Sequence, residues 1–333
     1  MKIYEKIKKN IKNNYKLILI YTAIFLFFII KLPYYISAPG GLIDTKDKVI
    51  TDDSFKLKGS LNMAYVSEIK ATIPTYLWSL IDKDWQAEKE EKITVGNENI
   101  EDLEYRNKML LKEANKIAEL TAYKHSNIKY KIKNNKVYIT YIDDKAKTNL
   151  KVKDQIIKVD GNKIIDKAHL YSYINSKNIN DTVIFTVIRN NKEEKKQAKL
   201  INIENQPKVG ALITEDFEIK SKNKIKFNFK NEESGPSGGL MLALTIYSNI
   251  NKIDLTKGNK IAGTGTISLD GKVGEISGVK YKLMGAVKNK ADIFIVPKGK
   301  NYEEAKKIKN ERNYNIELIP VETFEETIKK LNK

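Results

Sequence analysis

The chain has 333 residues, a net charge of +18, 41% hydrophobic and 31% charged residues, and no cysteine. The lack of cysteine excludes disulfides, thiol nucleophiles and cysteine-ligated metal sites, and the length predicts two domains with short additional segments. The positive charge does not predict nucleic-acid binding, because nearly all of it comes from scattered lysines. Only Arg106, Arg189 and Arg312 carry the guanidinium that nucleic-acid recognition favours.

The N-terminus combines a basic leader with an apolar run. Residues 1–16 are rich in lysine and contain one acidic residue, and residues 17–30 carry no charge. Lys31 can snorkel and Tyr34 and Tyr35 suit a membrane interface, which extends the run to the ~20 residues of a span. We therefore predict a cytoplasmic leader over 1–16 and a single-pass anchor in the cell membrane over 17–36, with the catalytic domain extracellular. A buried helix of an intracellular enzyme is the alternative.

Residues 37–125 are predicted to begin with a break at Pro39-Gly40-Gly41 and to continue as short strands between 42 and 75. Residues 101–124 predict a helix, because apolar residues recur near helical spacing and acidic residues cluster at its start. The strands either form a separate segment or complete the sheet of the C-terminal domain, which would make the domain between them an insertion. The sequence leaves both arrangements open.

Residues 126–204 are predicted to form a compact domain rich in strands. A tight hairpin turn is expected at Asp160-Gly161, and Asp166 is a favourable N-cap for the helix that follows. The predicted elements are strands at 136–142, 182–189 and 195–203 and a helix at 167–176.

The block 150–164, followed by that helix and by a strand, resembles a PDZ domain of the bacterial protease-associated kind. Lys153 stands where that family usually has glycine. The resemblance implies that an extended peptide binds by strand addition beside the helix, where His169 and Tyr173 lie four residues apart on one face. The alternative is that this helix is purely structural and His169 is merely exposed.

The sequence lacks the residues that several common kinds of catalytic or binding site require. His125 and His169 are the only histidines, and neither is near a glycine-rich turn, so a Ser-His-Asp triad or a histidine metal site is not expected. No G-x-x-x-x-G-K-[ST] motif for nucleotide phosphates occurs. We predict no metal and no cofactor.

A candidate nucleophile lies in the segment around 237. Gly235 and Pro236 form a turn that delivers Ser237 to the first turn of an apolar helix, with Gly238 directly after it. The glycines leave room for a substrate backbone, and the N–H groups at the helix start can stabilise an oxyanion. The alternative is that Ser237 is an ordinary N-cap residue.

A second segment supplies a candidate base. Residues 263–267 predict a strand, and Asp270-Gly271 predicts a hairpin turn after it. Lys280 and Lys282 lie at the start of the helix predicted to follow. A helix N-terminus disfavours the protonated form of a lysine, which suits a general base.

Together the two segments resemble the proteolytic domain of the Lon family, over about residues 206–333. The resemblance implies that Ser237 is the nucleophile, that Lys280 is its base and that Thr264 hydrogen-bonds within the dyad, leaving Lys282 as a surface lysine. Ser234 stands where ATP-driven Lon enzymes usually carry aspartate. With no ATPase domain in the sequence either, we expect cleavage without ATP.

The predicted fold class is α+β, with a transmembrane helix, a PDZ domain at 126–204 and a Lon-like α/β proteolytic domain at 205–333. The predicted function is a serine endopeptidase that cleaves exported peptides or proteins, with the PDZ domain binding or gating substrate. The expected partners are a peptide or protein substrate, the membrane and, by family analogy, further copies of the chain, but no nucleic acid. A catalytically inactive, membrane-anchored PDZ scaffold is the alternative.

Overall fold

The computed structural model describes residues 2–332, which fall into two compact units. One unit comprises residues 2–39 and 66–93, and the other comprises 40–65 and 94–332. The α-helices are α1 (Lys2–Ile29), α2 (Ile73–Ser79), α3 (Glu90–Ile93), α4 (Ile100–His125), α5 (Lys167–Asn175), α6 (Gly239–Asn251), α7 (Val279–Lys288), α8 (Lys300–Glu311) and α9 (Phe324–Asn332). The strands are β1 (Lys31–Asp44), β2 (Val49–Thr51), β3 (Ser60–Thr72), β4 (Gln86–Lys89), β5 (Tyr130–Ile142), β6 (Lys147–Thr148), β7 (Gln155–Val159), β8 (Asn162–Lys163), β9 (Thr182–Arg189), β10 (Lys192–Lys199), β11 (Ile201–Ile203), β12 (Gln206–Lys208), β13 (Ala211–Ser221), β14 (Ile225–Phe227), β15 (Lys260–Gly263), β16 (Thr266–Ile267), β17 (Val273–Gly274), β18 (Ile293–Pro297) and β19 (Glu317–Val321).

The first unit corrects the prediction of a membrane anchor over 17–36. Helix α1 ends at Ile29, and residues 31–36 belong to strand β1, which pairs antiparallel with β4. The uncharged part of the helix, 17–29, is therefore only ~20 Å long, against the ~30 Å of a bilayer core. Within residues 2–332, none of the helices combines the length and the apolarity that a membrane span requires.

The break predicted at Pro39-Gly40-Gly41 is also wrong, because these residues lie inside β1. A Cβ atom at Gly40 would lie 2.1 Å from the carbonyl oxygen of Tyr65 in β3. Glycine is therefore needed here because two backbones approach closely, and the strand continues through it.

The second unit contains a mostly parallel sheet in the order β19-β18-β15-β3-β1. β15 pairs parallel with both β3 and β18, and β18 pairs parallel with β19. Because β3 precedes the PDZ segment and β15 follows it, that segment is inserted between two neighbouring strands of one sheet.

Helices cover both faces of this sheet. Successive residues of a strand point to opposite sides, so adjacent residues enter different cores. On one face, Met63 packs in the apolar core that contains α6. On the other face, the adjacent Ala64 packs in a core with Val279 and Leu283 of α7 and Ala305 of α8.

The PDZ segment has its own sheet, in the order β13-β5-β7-β9-β10-β6. Helix α5 begins after Asp166, whose side chain accepts a hydrogen bond from His169 N–H, and it packs Leu170 and Ile174 into the core of this sheet. Lys153 has a backbone φ of +76°. A left-handed conformation is the physical reason for glycine at this position in the family, and lysine adopts it here at a cost.

Helix α4 contacts both the PDZ segment and the C-terminal domain. Its residues Lys112 and Glu113 make ion pairs with Asp216 of β13 and Lys167 of α5. Further along the helix, Ala118 and Ala122 are buried in the core that contains α6. A single rigid element therefore joins the two parts of this unit.

Candidate active site

Residues 230–238 carry Ser237, and we call them the serine loop. This loop lies at the carboxyl end of strand β15. The carbonyl oxygen of Ser237 accepts hydrogen bonds from Gly265 N–H at 2.7 Å and from the Thr264 hydroxyl at 3.1 Å. In return, Leu240 N–H donates to the carbonyl oxygen of Gly265 at 3.1 Å. Three bonds thus fix the start of α6 against the end of β15.

Ser237 precedes helix α6, which starts at Gly239 with Gly238 as its N-cap residue. Gly239 N–H donates to the carbonyl oxygen of Pro236 at 3.2 Å, so Pro236–Gly239 forms a turn that leaves Ser237 half-buried. This places the serine beside the N-terminus of a helix, where backbone N–H groups and the helix dipole favour negative charge.

The glycines on either side of Ser237 have different roles. Gly235 has a φ of +89°, which favours glycine, and a Cβ there would meet no atom within 4 Å. A Cβ at Gly238 would lie 2.4 Å from the sulfur of Met63. Gly238 therefore allows close packing against β3, whereas the space expected for a substrate lies on the side of Gly235.

Two further contacts hold this loop, and the sequence predicted neither of them. Gly235 N–H donates to the carbonyl oxygen of Asn107 in α4 at 3.1 Å. Glu233 pairs with Lys48 at 2.8 Å, and the Lys48 side chain is only 8% exposed. These contacts join residues more than a hundred positions apart, so no local pattern in the sequence indicates them.

Thr264 is fully buried, and its hydroxyl contacts the backbone of Ser237. The sequence predicted a hydrogen bond within the dyad. The bond that the structure shows runs to the Ser237 carbonyl oxygen, so Thr264 positions the serine through its main chain.

The two lysines of α7 differ in their surroundings. Lys280 is half-buried, and its Nζ lies 5.3 Å from the ring centroid of Tyr281. Lys282 is only 4% exposed. The prediction that Lys282 is a surface lysine is therefore wrong, because α7 is buried throughout residues 281–286.

The start of α7 lies at the same edge of the sheet as Ser237. Ile276, just before the helix, exchanges two hydrogen bonds of 2.8 Å with the side chain of Asn301, in the segment that follows β18. Ser237 is bound to the residues that follow β15, and β15 and β18 are parallel neighbours. The nucleophile candidate and the lysine-bearing helix thus both adjoin the carboxyl end of the sheet, where open α/β sheets place their ligand sites.

The two candidate residues of the PDZ helix make local contacts. The Tyr173 hydroxyl donates to Asp160 at 2.9 Å, and Lys177 lies 4.7 Å from its ring centroid. His169 is half-buried, and its Nδ1 is a buried atom with no hydrogen-bond partner. The Tyr173 contacts connect α5 to Asp160 in the preceding turn and to Lys177 after the helix.

Two parts of the chain match known families. Residues 221–332 match the C-terminal proteolytic domain of Lon protease (S16), and residues 115–200 match the PDZ domain. The combination of a Lon-type proteolytic domain with a PDZ domain, predicted from the motifs, is confirmed.

The chain is also similar to individual proteins. It is 35% identical over 123 residues to Lon protease of Mesomycoplasma hyopneumoniae, which covers 32% of this chain and 14% of that protein. It is 39% identical over 94 residues to Lon protease 2 of Bacillus subtilis, covering 28% and 16% respectively. The PDZ domain of an SdrC-like protein from Listeria innocua is 28% identical and covers 23% of this chain and 92% of that domain, with a TM-score of 0.22.

The matched part of the chain spans about one seventh of the length of these Lon proteases, 14% and 16%. The family match at residues 221–332 contains Ser237, Thr264 and the lysines of α7. The likeness supports a serine peptidase.

Proposed function

We propose that this protein is a serine endopeptidase that cleaves peptide or protein substrates without ATP, with Ser237 as nucleophile and a lysine of α7 as general base. The observation that carries the proposal is the attachment of Ser237 to Thr264 and Gly265 within a segment that matches the Lon proteolytic domain. Exported substrates and an extracellular catalytic domain stay predictions from the lysine-rich leader.

Burial favours Lys282 over Lys280 as the base. The sequence predicted Lys280, which is half-buried beside an aromatic ring. Lys282 is 4% exposed, and burial disfavours the charged ammonium relative to the neutral amine that can accept a proton. We therefore assign the role of base to Lys282 and keep Lys280 as the alternative.

The reaction follows from these assignments. The amine of Lys282 takes the proton of the Ser237 hydroxyl as the serine oxygen attacks the peptide carbonyl. Backbone N–H groups at the start of α6 stabilise the oxyanion, and the leaving amine takes the proton back from the lysine as the C–N bond breaks. Water then hydrolyses the acyl-enzyme by the same route and restores Ser237.

Cleavage of casein by the full chain without ATP tests the proposal. We expect Ser237→Ala and Lys282→Met each to lower the rate by ~10³-fold or more. Ser234→Ala and Lys288→Ala are matched controls, because both residues are exposed and close in sequence, and they should leave the rate unchanged. A rate in Ser237→Ala equal to that of the wild type would refute the nucleophile.

Replacing each lysine with arginine distinguishes their roles, because arginine stays protonated and cannot act as a base. We expect Lys282→Arg to be inactive and Lys280→Arg to retain most of the activity. The reverse result would assign the base to Lys280, and full activity in both variants would exclude a lysine base.

A further inference from the structure

A buried ion pair holds the first half of the serine loop. Lys48 Nζ donates to a carboxylate oxygen of Glu233 at 2.8 Å, and the two side chains are 8% and 18% exposed. The same oxygen accepts from Lys230 N–H at 2.7 Å, and Glu233 N–H donates to the Lys230 carbonyl oxygen at 3.1 Å. One carboxylate therefore closes the turn at 230–233 and attaches that turn to Lys48.

Lys48 also contacts the segment that leads into the serine loop. Its carbonyl oxygen accepts a hydrogen bond from Asn228 N–H at 2.9 Å, and its Nζ lies 5.5 Å from the ring centroid of Phe229. Strand β2 starts at the residue after Lys48 and pairs antiparallel with β14, which ends just before Asn228. The main chain and the side chain of Lys48 thus both fix the entrance of the serine loop.

The turn that carries Lys48 is attached to helix α6. Lys48 N–H donates to the carbonyl oxygen of Thr45 at 3.1 Å, and Thr45 is fully buried. The Thr45 hydroxyl donates to the Leu61 carbonyl oxygen at 2.8 Å and lies 2.6 Å from the hydroxyl of Thr245 in α6. Because α6 begins two residues after Ser237, the ion pair connects the residues before the serine to the helix that follows it.

Burial distinguishes Lys48 from nearly all other lysines of the chain. Among residues 3–332, Lys48 and Lys282 are the only buried lysines. Lys282 lies on α7 at the same edge of the sheet as the serine loop, to which Lys48 is bonded. The two lysines suit different roles, because an ion pair uses the ammonium form whereas a general base must present a neutral amine. Loss of Lys48 would leave the Glu233 carboxylate without a compensating charge.

We propose that Lys48 is a positioning residue of the peptidase, whose charge acts through Glu233 to hold the serine loop in the conformation in which Ser237 can attack. The effect on turnover rests on the proposed function, but the attachment of the loop to Lys48 does not. Catalysis is sensitive to displacements of ~1 Å at the reacting atoms. A loop that loses this attachment should therefore react more slowly while the enzyme binds substrate nearly as well.

Hydrogen–deuterium exchange followed by mass spectrometry tests the attachment without turnover, on the full chain with Ser237→Ala. Lys48→Met should raise the exchange rate of amides in residues 229–238 by about tenfold or more, while β18 stays protected and shows that the chain remains folded. Lys46→Met is the matched control, because it removes an exposed ion pair with Asp44 beside the same turn, and it should leave exchange unchanged. Equal exchange of residues 229–238 in the two variants would overturn the proposal.

Casein cleavage by the same variants with Ser237 intact tests the positioning. Lys48→Met should lower kcat by about 10- to 100-fold and change KM by less than about threefold, whereas Lys46→Met should match the wild type. Glu233→Gln should have a similar effect, because it removes the other charge of the pair. The double variant of Lys48→Met and Glu233→Gln should be no slower than the slower single variant, within about twofold, because both changes remove one contact. Losses that multiply in the double variant would overturn the proposal.

Lys48→Arg keeps the charge and distinguishes a positioning cation from a base. We expect its kcat to follow the protection of the serine loop and to lie within about threefold of the wild type where that protection is retained. An inactive Lys48→Arg with a fully protected loop would show that the neutral amine is required, and would overturn the proposal, as would an unchanged kcat in Lys48→Met. An inactive wild type would instead count against the proposed function, and the exchange experiment would still decide whether Lys48 holds the loop.

Discussion

The buried carboxylate of Glu119 in α4 gives a prediction about stability and pH. Glu119 is 3% exposed, and burial raises its pKa from 4.5 to about 7, with smaller opposite effects from Lys116 and Tyr123. Because the folded-state pKa lies above the unfolded value, the folded chain binds more protons between these values, and stability falls as the pH rises through this window. The shift corresponds to a fall of about 3 kcal/mol in the free energy of unfolding between pH 4.5 and pH 8.

The substitution Glu119→Gln keeps the shape of the side chain and removes its charge. We expect the variant to be more stable than the wild type by about 3 kcal/mol at pH 8 and by a few tenths at pH 4.5, because only the wild type carries a buried charge at high pH. Urea unfolding followed by circular dichroism at both pH values measures the difference.

Glu104→Gln, on the exposed face of the same helix, is the matched control, and it should change stability by less than about 0.5 kcal/mol at either pH. A stability difference between Glu119→Gln and the wild type that does not depend on pH would refute the reasoning.

Three further substitutions test individual contacts. Lys153→Gly should raise the free energy of unfolding by up to about 1 kcal/mol, because it relieves a left-handed backbone, and an unchanged urea midpoint would contradict this. Arg189→Met should destabilise by about 3 kcal/mol or more, because it leaves the fully buried carboxylate of Asp154 without the guanidinium that now pairs with it at 2.6 Å, and calorimetry would detect the loss. Thr264→Val removes the hydroxyl that donates to Ser237 and should lower kcat by about tenfold with little change in KM, while an unchanged kcat would remove Thr264 from the site.

Local patterns predicted those parts of the chain whose structure depends on local contacts. Helix α5 begins after Asp166 as predicted, because an N-cap acts within one turn. The segment around Ser237 and the strand before Thr264 follow from motifs of a few residues with a specific spacing. The structure brings these two segments into contact, as the resemblance implied.

Contacts between distant residues could not be predicted in this way. The residues after Ile30 are apolar enough to continue a helix, but pairing with β4 makes them a strand. The difference between Lys280 and Lys282 depends on how α7 is rotated against its neighbours, and two positions in sequence are enough to change which lysine is buried. The pairing of β13 with β5 joins residues 211–221 to 130–142, and it has no local motif.

Helix α4 is the element whose role most exceeds what its sequence indicates, and Glu113 offers the most direct test of that role. The Glu113 carboxylate accepts hydrogen bonds from Lys167 Nζ at 2.6 Å and from Glu215 N–H at 3.0 Å. Glu113→Ala leaves a partly buried N–H without an acceptor and a partly buried ammonium without its partner, so we expect a loss of about 2 kcal/mol. Glu113→Gln keeps an acceptor and should lose less.

The matched control is Glu101→Ala on the same helix, which removes an exposed ion pair with Lys153 and should cost less than about 1 kcal/mol. If α4 braces the serine loop, Glu113→Ala should also lower casein cleavage at temperatures where the chain remains folded, because β13 and the Asn107 contact to Gly235 share this helix. Equal stability and equal cleavage in Glu113→Ala and Glu101→Ala would mean that the cluster around Glu113 does not hold the PDZ segment and the serine loop together.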